Sequence, residues 1–156
     1  MTSFFLAPPA VADPTQGSPT DKLFNADDFA RAAAYFTAHP ELAPTSLTPL
    51  PALARRLGVG HVLVKNETAR FGLPAFKPLG ARFAIEQLLA EGRIAKGDTL
   101  VCASEGNHGR AVAHAARLLG CQARVYLSES VAAPRADAIA SEGATLVRVP
   151  GTYDDA

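Results

Sequence analysis

Four lysines occur in the 156-residue chain, and one of them, Lys77, stands where an amine can act as a nucleophile. It lies in the run Arg70-Phe71-Gly72-Leu73-Pro74-Ala75-Phe76-Lys77-Pro78-Leu79-Gly80, between apolar neighbours at the expected mouth of a helix. Pro78 suits an early helical position, and Gly72 and Gly80 permit close backbone approach. Partial desolvation and the positive end of a helix dipole both favour a neutral amine, the form that attacks a carbonyl to make a Schiff base. Lys22 and Lys96 fall in polar, turn-like segments and Lys65 ends a strand, so they are placed less well. Taken alone, Lys77 reads equally well as a surface lysine at a helix start.

A second run, Ala103-Ser104-Glu105-Gly106-Asn107-His108-Gly109-Arg110, follows an apolar strand and precedes an amphipathic helix. In an open parallel sheet, ligands bind at the carboxyl ends of strands, where the amides of the next helix N-terminus receive an anion. Gly106 and Gly109 would let a planar or anionic ligand approach the backbone, and the Asn107 amide can hydrogen-bond a phenolic oxygen. The spacing matches neither the Gly-x-Gly-x-x-Gly dinucleotide fingerprint nor a P-loop. Alone, this run reads more readily as a helix cap, with Asn107 capping and His108 exposed.

The elements that must position these runs follow from periodicity. Residues 1 to about 24 hold Pro8, Pro9, Pro14, Gly17 and Pro19 among small polar residues and suggest an arm without regular structure. Asn25, followed by Asp27 and Asp28, caps a helix that ends before Pro40, with Phe29, Ala32, Ala33 and Phe36 on one face. Pro44, Pro49 and Pro51 keep the next stretch extended until Pro51 opens a short helix stopped at Gly58. Strands are then expected over 61–65, 99–104, 123–127 and 145–149, and helices over 78–91, 107–119 and 133–141. Strands such as Leu100-Val101-Cys102-Ala103 are apolar without strict alternation, which suits a parallel sheet between helices. The fold class expected is α/β, an open and mostly parallel sheet with helices on both faces. The expected organisation is an N-terminal arm and helix over residues 1–43 and a catalytic region over 44–156.

Composition narrows the function. Fifteen basic and fifteen acidic side chains leave no net charge, so neither nucleic acid nor an anionic membrane is an expected partner, and no apolar run is long enough to span a bilayer. A small molecule is the better expectation. Cys102 and Cys121 imply no disulfide framework. The segment Met1 to Asp13 lacks a basic start and is interrupted by Pro8-Pro9, so a cytoplasmic location is expected over secretion.

Together the two runs carry a resemblance that neither carries alone. Phe-Lys-Pro-Leu-Gly followed by Ser-Glu-Gly-Asn-His-Gly resembles the fold-type-II pyridoxal-phosphate enzymes, the group of threonine dehydratase, cysteine synthase and tryptophan synthase β. Within that group, Val64-Lys65-Asn66-Glu67 through Arg70-Phe71-Gly72-Leu73-Pro74-Ala75-Phe76-Lys77 is similar to the diaminopropionate ammonia-lyase branch. The resemblance continues through Gly109 to Ala113, Val125-Tyr126-Leu127, Arg135, Gly143-Ala144 and Tyr153-Asp154-Asp155, covering residues 44 to 156.

By position, the resemblance implies that Lys77 holds pyridoxal 5'-phosphate as a Schiff base and that Asn107 hydrogen-bonds the cofactor's ring oxygen. The ammonia-lyase branch carries an aspartate just before Gly-Asn-His, thought to take the α-proton from one enantiomer while the lysine serves the other. Here that residue is Glu105, whose extra methylene changes its reach by more than the ~0.5 Å that positioned chemistry tolerates. Asn66 likewise stands where an aspartate is expected. The reaction implied is α,β-elimination of a small amino acid, 2,3-diaminopropionate, to pyruvate and ammonia, by a homodimer when complete. A serine or threonine dehydratase is the alternative enzyme, and a non-catalytic truncated product the alternative outside enzymes. The family's later glycine-rich phosphate loop and its pyridine-nitrogen partner are not recognisable, so this stretch is expected to be the N-terminal part of a longer enzyme, inactive by itself.

Overall fold

The computed structural model describes residues 25–156, apart from Ala43, Ala69 and Phe71, so the arm expected over residues 1–24 lies outside the described residues. The chain divides into two units, one ending at Ala38 and one running from His39 to Ala156. In the first, helix α1 spans Ala26–Ala38. Its start is the cap expected from sequence. Asn25 Oδ1 accepts the amides of Asp27 (2.9 Å) and Asp28 (3.0 Å), and Asp28 Oδ2 accepts the Asn25 amide in return (3.1 Å).

The second unit opens with a 3-10 turn, Pro40–Leu42, and then strand β1 (Leu47–Pro49), helix α2 (Pro51–Leu57) and strand β2 (Leu63–Lys65). Pro51 sits in the first turn of α2, and Gly58, at φ 67°, ends the helix in the left-handed region that glycine adopts at least cost. The strand expected over 61–65 starts only at Leu63, and it pairs antiparallel with residues read from sequence as merely extended. Amides on both sides close this ribbon, Leu50 to the Val62 carbonyl (2.9 Å) and Asn66 to the Ser46 carbonyl (3.0 Å).

Next come α3 (Lys77–Ala90), β3 (Thr99–Ala103), α4 (Asn107–Leu119), β4 (Gln122–Ser128), α5 (Ala133–Ala140) and β5 (Thr145–Val149), before a last 3-10 turn, Tyr153–Asp155. Strands β3, β4 and β5 form a parallel sheet in sequence order, with Leu100 opposite Ala123 and Val125 opposite Leu146. Right-handed crossovers between strands in that order put α4 and α5 on the same face. The buried side chains agree. Ala113, Ala116, Cys121 and Ala123 pack with Leu89, Leu100 and Ala144, while Leu127, Val131 and Ala136 pack with Leu146. On the opposite face, Val101 is 61% exposed among the described residues.

Helix α4 comes close to the sheet because its inner side carries Gly109, Ala111, Ala113, Ala115 and Ala116. A Cβ at Gly109 would meet Val125 Cγ1 at 2.9 Å and Ser104 Cβ at 3.0 Å. Gly109 therefore serves packing of helix on strand, not the ligand approach expected from sequence. Gly109→Val is expected to cost about 1–3 kcal/mol by overpacking, read as a lower denaturant midpoint with an unchanged slope. A midpoint equal to the parent's would show that the backbone there can yield.

Candidate active site

Lys77 is delivered by a tight turn. Asn66 Oδ1 accepts the Thr68 amide (3.0 Å) and hydroxyl (2.6 Å), the Leu73 amide returns to the Arg70 carbonyl (2.6 Å), and Gly72 takes the left-handed φ of 74°. Helix α3 then starts at Lys77 itself, with Pro78 in its first turn fully buried as the anchor. The lysine thus lies at the positive end of the helix, as expected. Its expected desolvation is not found within this chain. Pro78 packs inward while Phe76 is 62% exposed, so neither apolar neighbour wraps the amine, and Lys77 is exposed.

The second run sits at the carboxyl end of β3. Ser104 is buried, and its Oγ accepts the amides of Gly109 (2.7 Å) and Gly106 (3.3 Å). Ser104 therefore caps the turn. The residue at the cap position is Gly106, and the expected alternative of a capping Asn107 does not arise, because no side-chain cap bond is made there. Asn107 is exposed, as is His108, and Glu105 is half-buried. A Cβ at Gly106 or at Gly80 would meet nothing within 4 Å, so both backbones face open space.

The two runs, about thirty residues apart in sequence, meet across one open groove of about 310 Å³. Its walls are Phe76, Lys77, Leu79, Gly80, Ala81 and His108. Asn107 and Glu105 precede His108 in the chain without lining this groove. His108 is the residue underweighted from sequence. Its place in the first turn of α4, directly after Asn107, was the available signal. The other described lysines lie elsewhere. Lys65 Nζ donates to Thr45 O and Oγ1 (both 2.5 Å), and Lys96 packs near Gly120, at the amino end of the sheet.

Two carboxylates brace the elements that carry the site. Glu142, in the turn before β5, has a side chain only 8% exposed and receives Arg110 (3.1 Å), His114 (3.0 Å) and Arg117 (3.0 Å) from α4. Burial pushes its pKa up, but the hydrogen bonds from His114, Arg117 and Arg110 outweigh this and hold it below the usual range. Glu67 is held down to about 2, chiefly by its hydrogen bond from Arg70 and then by that from Thr45. Because the folded pKa lies below the unfolded one, the stabilisation by Glu67 is complete above pH ~4.5 and lost as pH falls toward ~2. NMR titration of the Glu67 carboxyl should therefore show no protonation at pH 4, and a midpoint near 4.5 would mean that the pair is absent in solution.

A family model described as pyridoxal-phosphate dependent enzyme matches residues 39–156. The chain belongs to that family. Diaminopropionate ammonia-lyase of Escherichia coli strain K12 is 41% identical over 72% of this chain and 32% of its own length. A chloroplastic biosynthetic threonine dehydratase of Solanum lycopersicum is 35% identical over 72% of this chain and 18% of its own. Among solved structures, the Escherichia coli ammonia-lyase in complex with an aminoacrylate-PLP azomethine reaction intermediate aligns with a TM-score of 0.73 and 39% identity. That alignment covers 81% of this chain and 36% of the other. The chain thus spans about a third of the length of its ammonia-lyase relatives.

The residues present suit pyridoxal phosphate, the cofactor of the family. A primary amine lines a groove whose floor includes the bare backbone of Gly80, and the backbone of Gly106, at the neighbouring turn, also faces open space. Among the described residues, the Asn107 and His108 amides in the first turn of α4 have no protein acceptor, so they can serve a ligand oxygen. No helix in the described residues is long and apolar enough to cross a membrane.

Proposed function

We propose that the protein of which these residues form the Lys77-bearing part eliminates ammonia from 2,3-diaminopropionate, giving pyruvate and a second ammonia with the uptake of one water. The observation that carries this reading is the groove in which Lys77, at the start of α3, meets the first turn of α4 through His108. The similarity to diaminopropionate ammonia-lyase supplies the substrate.

In this reading Lys77 Nζ would hold the cofactor covalently, and the Asn107 side-chain amide would donate a hydrogen bond to its ring oxygen. When bound, the cofactor supplies an electron sink for the substrate α-carbon. The Lys77 Nζ amine would take the α-proton of one enantiomer. The Glu105 carboxylate takes that of the other. The open faces of Gly80 and Gly106 admit a planar ring. His108, which lines the groove with Lys77, would donate a proton to the departing β-amine.

Supplying the protein with cofactor and each enantiomer of diaminopropionate, serine and threonine, and following pyruvate, 2-oxobutyrate and ammonia, tests the assignment. Two ammonia per pyruvate from diaminopropionate supports it. Faster release of one ammonia per oxo acid from serine or threonine would favour the dehydratase reading, which the Solanum relative supports. We further propose a homodimer in the cytoplasm. Sedimentation and cell fractionation check the two parts.

A further inference from the structure

Beside the turn that leads to Lys77 lies a buried guanidinium that the chemistry above does not use. Arg70 is 7% exposed. It donates from Nε to Glu67 Oε2 (2.6 Å), from Nη2 to Glu67 Oε1 (3.3 Å) and Thr45 Oγ1 (3.5 Å), and from Nη1 to the Leu42 carbonyl (3.2 Å). Glu67 Oε1 also accepts the Thr45 hydroxyl (2.7 Å). One planar fork thus ties the turn before Lys77 to Leu42 and Thr45, in the strip whose described residues are 39–42, 44 and 45.

The same strip is tied to the helix after Lys77 by other groups. Arg82 of α3 pairs with Glu41 (2.8 Å) and Glu86 (2.7 Å), and His39 lies 3.3 Å from Glu86. Lys77 therefore sits between two fastenings to one short segment, Arg70 seven residues before it and Arg82 five residues after. Among the described residues the Lys77 side chain is exposed, and these fastenings hold the backbone that carries it.

We propose that strip 39–45 is a splint for Lys77, with Arg70 and Glu67 as its principal positioning residues and Arg82 with Glu41 as the second pin. This rests on Lys77 being the residue that holds the cofactor. The pin does not titrate under ordinary conditions, because Glu67 stays ionised down to about pH 2. Arg70 cannot be replaced by lysine without loss, since an ammonium lacks the fork that reaches Glu67, Thr45 and Leu42 together.

The experiment compares the protein with its Arg70→Lys, Glu67→Gln, Glu67→Asp, Arg82→Lys and Glu41→Gln variants. It measures the rate of covalent cofactor capture by visible absorbance, the labelled lysine after borohydride reduction, and the thermal midpoint. Arg70→Lys and Glu67→Gln are expected to slow capture about tenfold per folded molecule, a fraction of the ~10²-fold that a 1 Å misplacement can cost. Glu67→Asp should recover part of the rate. A purely structural role would lower the midpoint and leave capture per folded molecule at the parent rate, which overturns the proposal. If the inner variants do not fold, Arg82→Lys and Glu41→Gln decide, since Glu41 is 49% exposed and its loss leaves no buried charge. Parent-like capture in both, or failure of every variant to fold, also overturns it. Label on a lysine other than Lys77 in the parent would instead sink the site assignment beneath it.

Discussion

Lys77→Ala is expected to leave the protein unable to hold pyridoxal phosphate covalently and to lower turnover by about 10³-fold or more, because in the proposed mechanism one side chain supplies both the attachment and an α-proton base. The other described lysines offer no substitute. Lys65 is engaged with Thr45 and Glu67, and Lys96 lies at the amino end of the sheet, away from the carboxyl end where Ser104 begins the second run. Borohydride reduction and peptide mapping should put all label of the parent on Lys77 and leave none on the variant. Label on Lys65 or Lys96, or turnover within tenfold of the parent, would show that the amine at the start of α3 is a surface lysine. Without cofactor, the variant should keep the parent's thermal midpoint, since an exposed side chain loses little packing when truncated. This separates chemistry from folding.

Glu105→Gln is expected to lower kcat by about 100-fold for one enantiomer of diaminopropionate and far less for the other, the span that loss of a general base produces. Glu105 is half-buried between the Ser104 cap and the open backbone of Gly106, and it makes no hydrogen bond or ion pair with a described residue. A carboxylate with no structural partner, in the turn that leads to Asn107 and His108, is free to work on a substrate. Glutamine keeps its size and removes the base. Kinetics on the two separated enantiomers supply the check. If kcat for both stays within about twofold, Glu105 has no part in proton removal. If both fall equally, the change has disturbed the turn rather than one proton transfer, and Ser104 capping becomes the thing to measure.

Much of this molecule is legible locally. Asn25 with Asp27 and Asp28, Pro51 with Gly58, and the helical repeat from Asn107 to Leu119 each carry their signal within a few residues, because caps, turn glycines and side-chain periodicity act over one or two helical turns. The order of strands and helices from β3 to β5 follows in the same way, and with it the expectation of a parallel sheet. Lys77 and Asn107 also stand where the sequence put them, at the first residues of α3 and α4.

Contacts between distant segments were not legible. The pairing of β1 with β2, the pressure of Gly109 on Val125, and the anchoring of Arg70 to Leu42 and Thr45 each join residues 14 to 28 apart in sequence. Short-range patterns do not encode such contacts, since the partner of a strand edge or a guanidinium is chosen by where the chain returns. The exposure of Lys77 was decided in the same way. An apolar neighbour in sequence desolvates an amine only if it folds over it, and here Pro78 turned into the core while Phe76 turned to solvent.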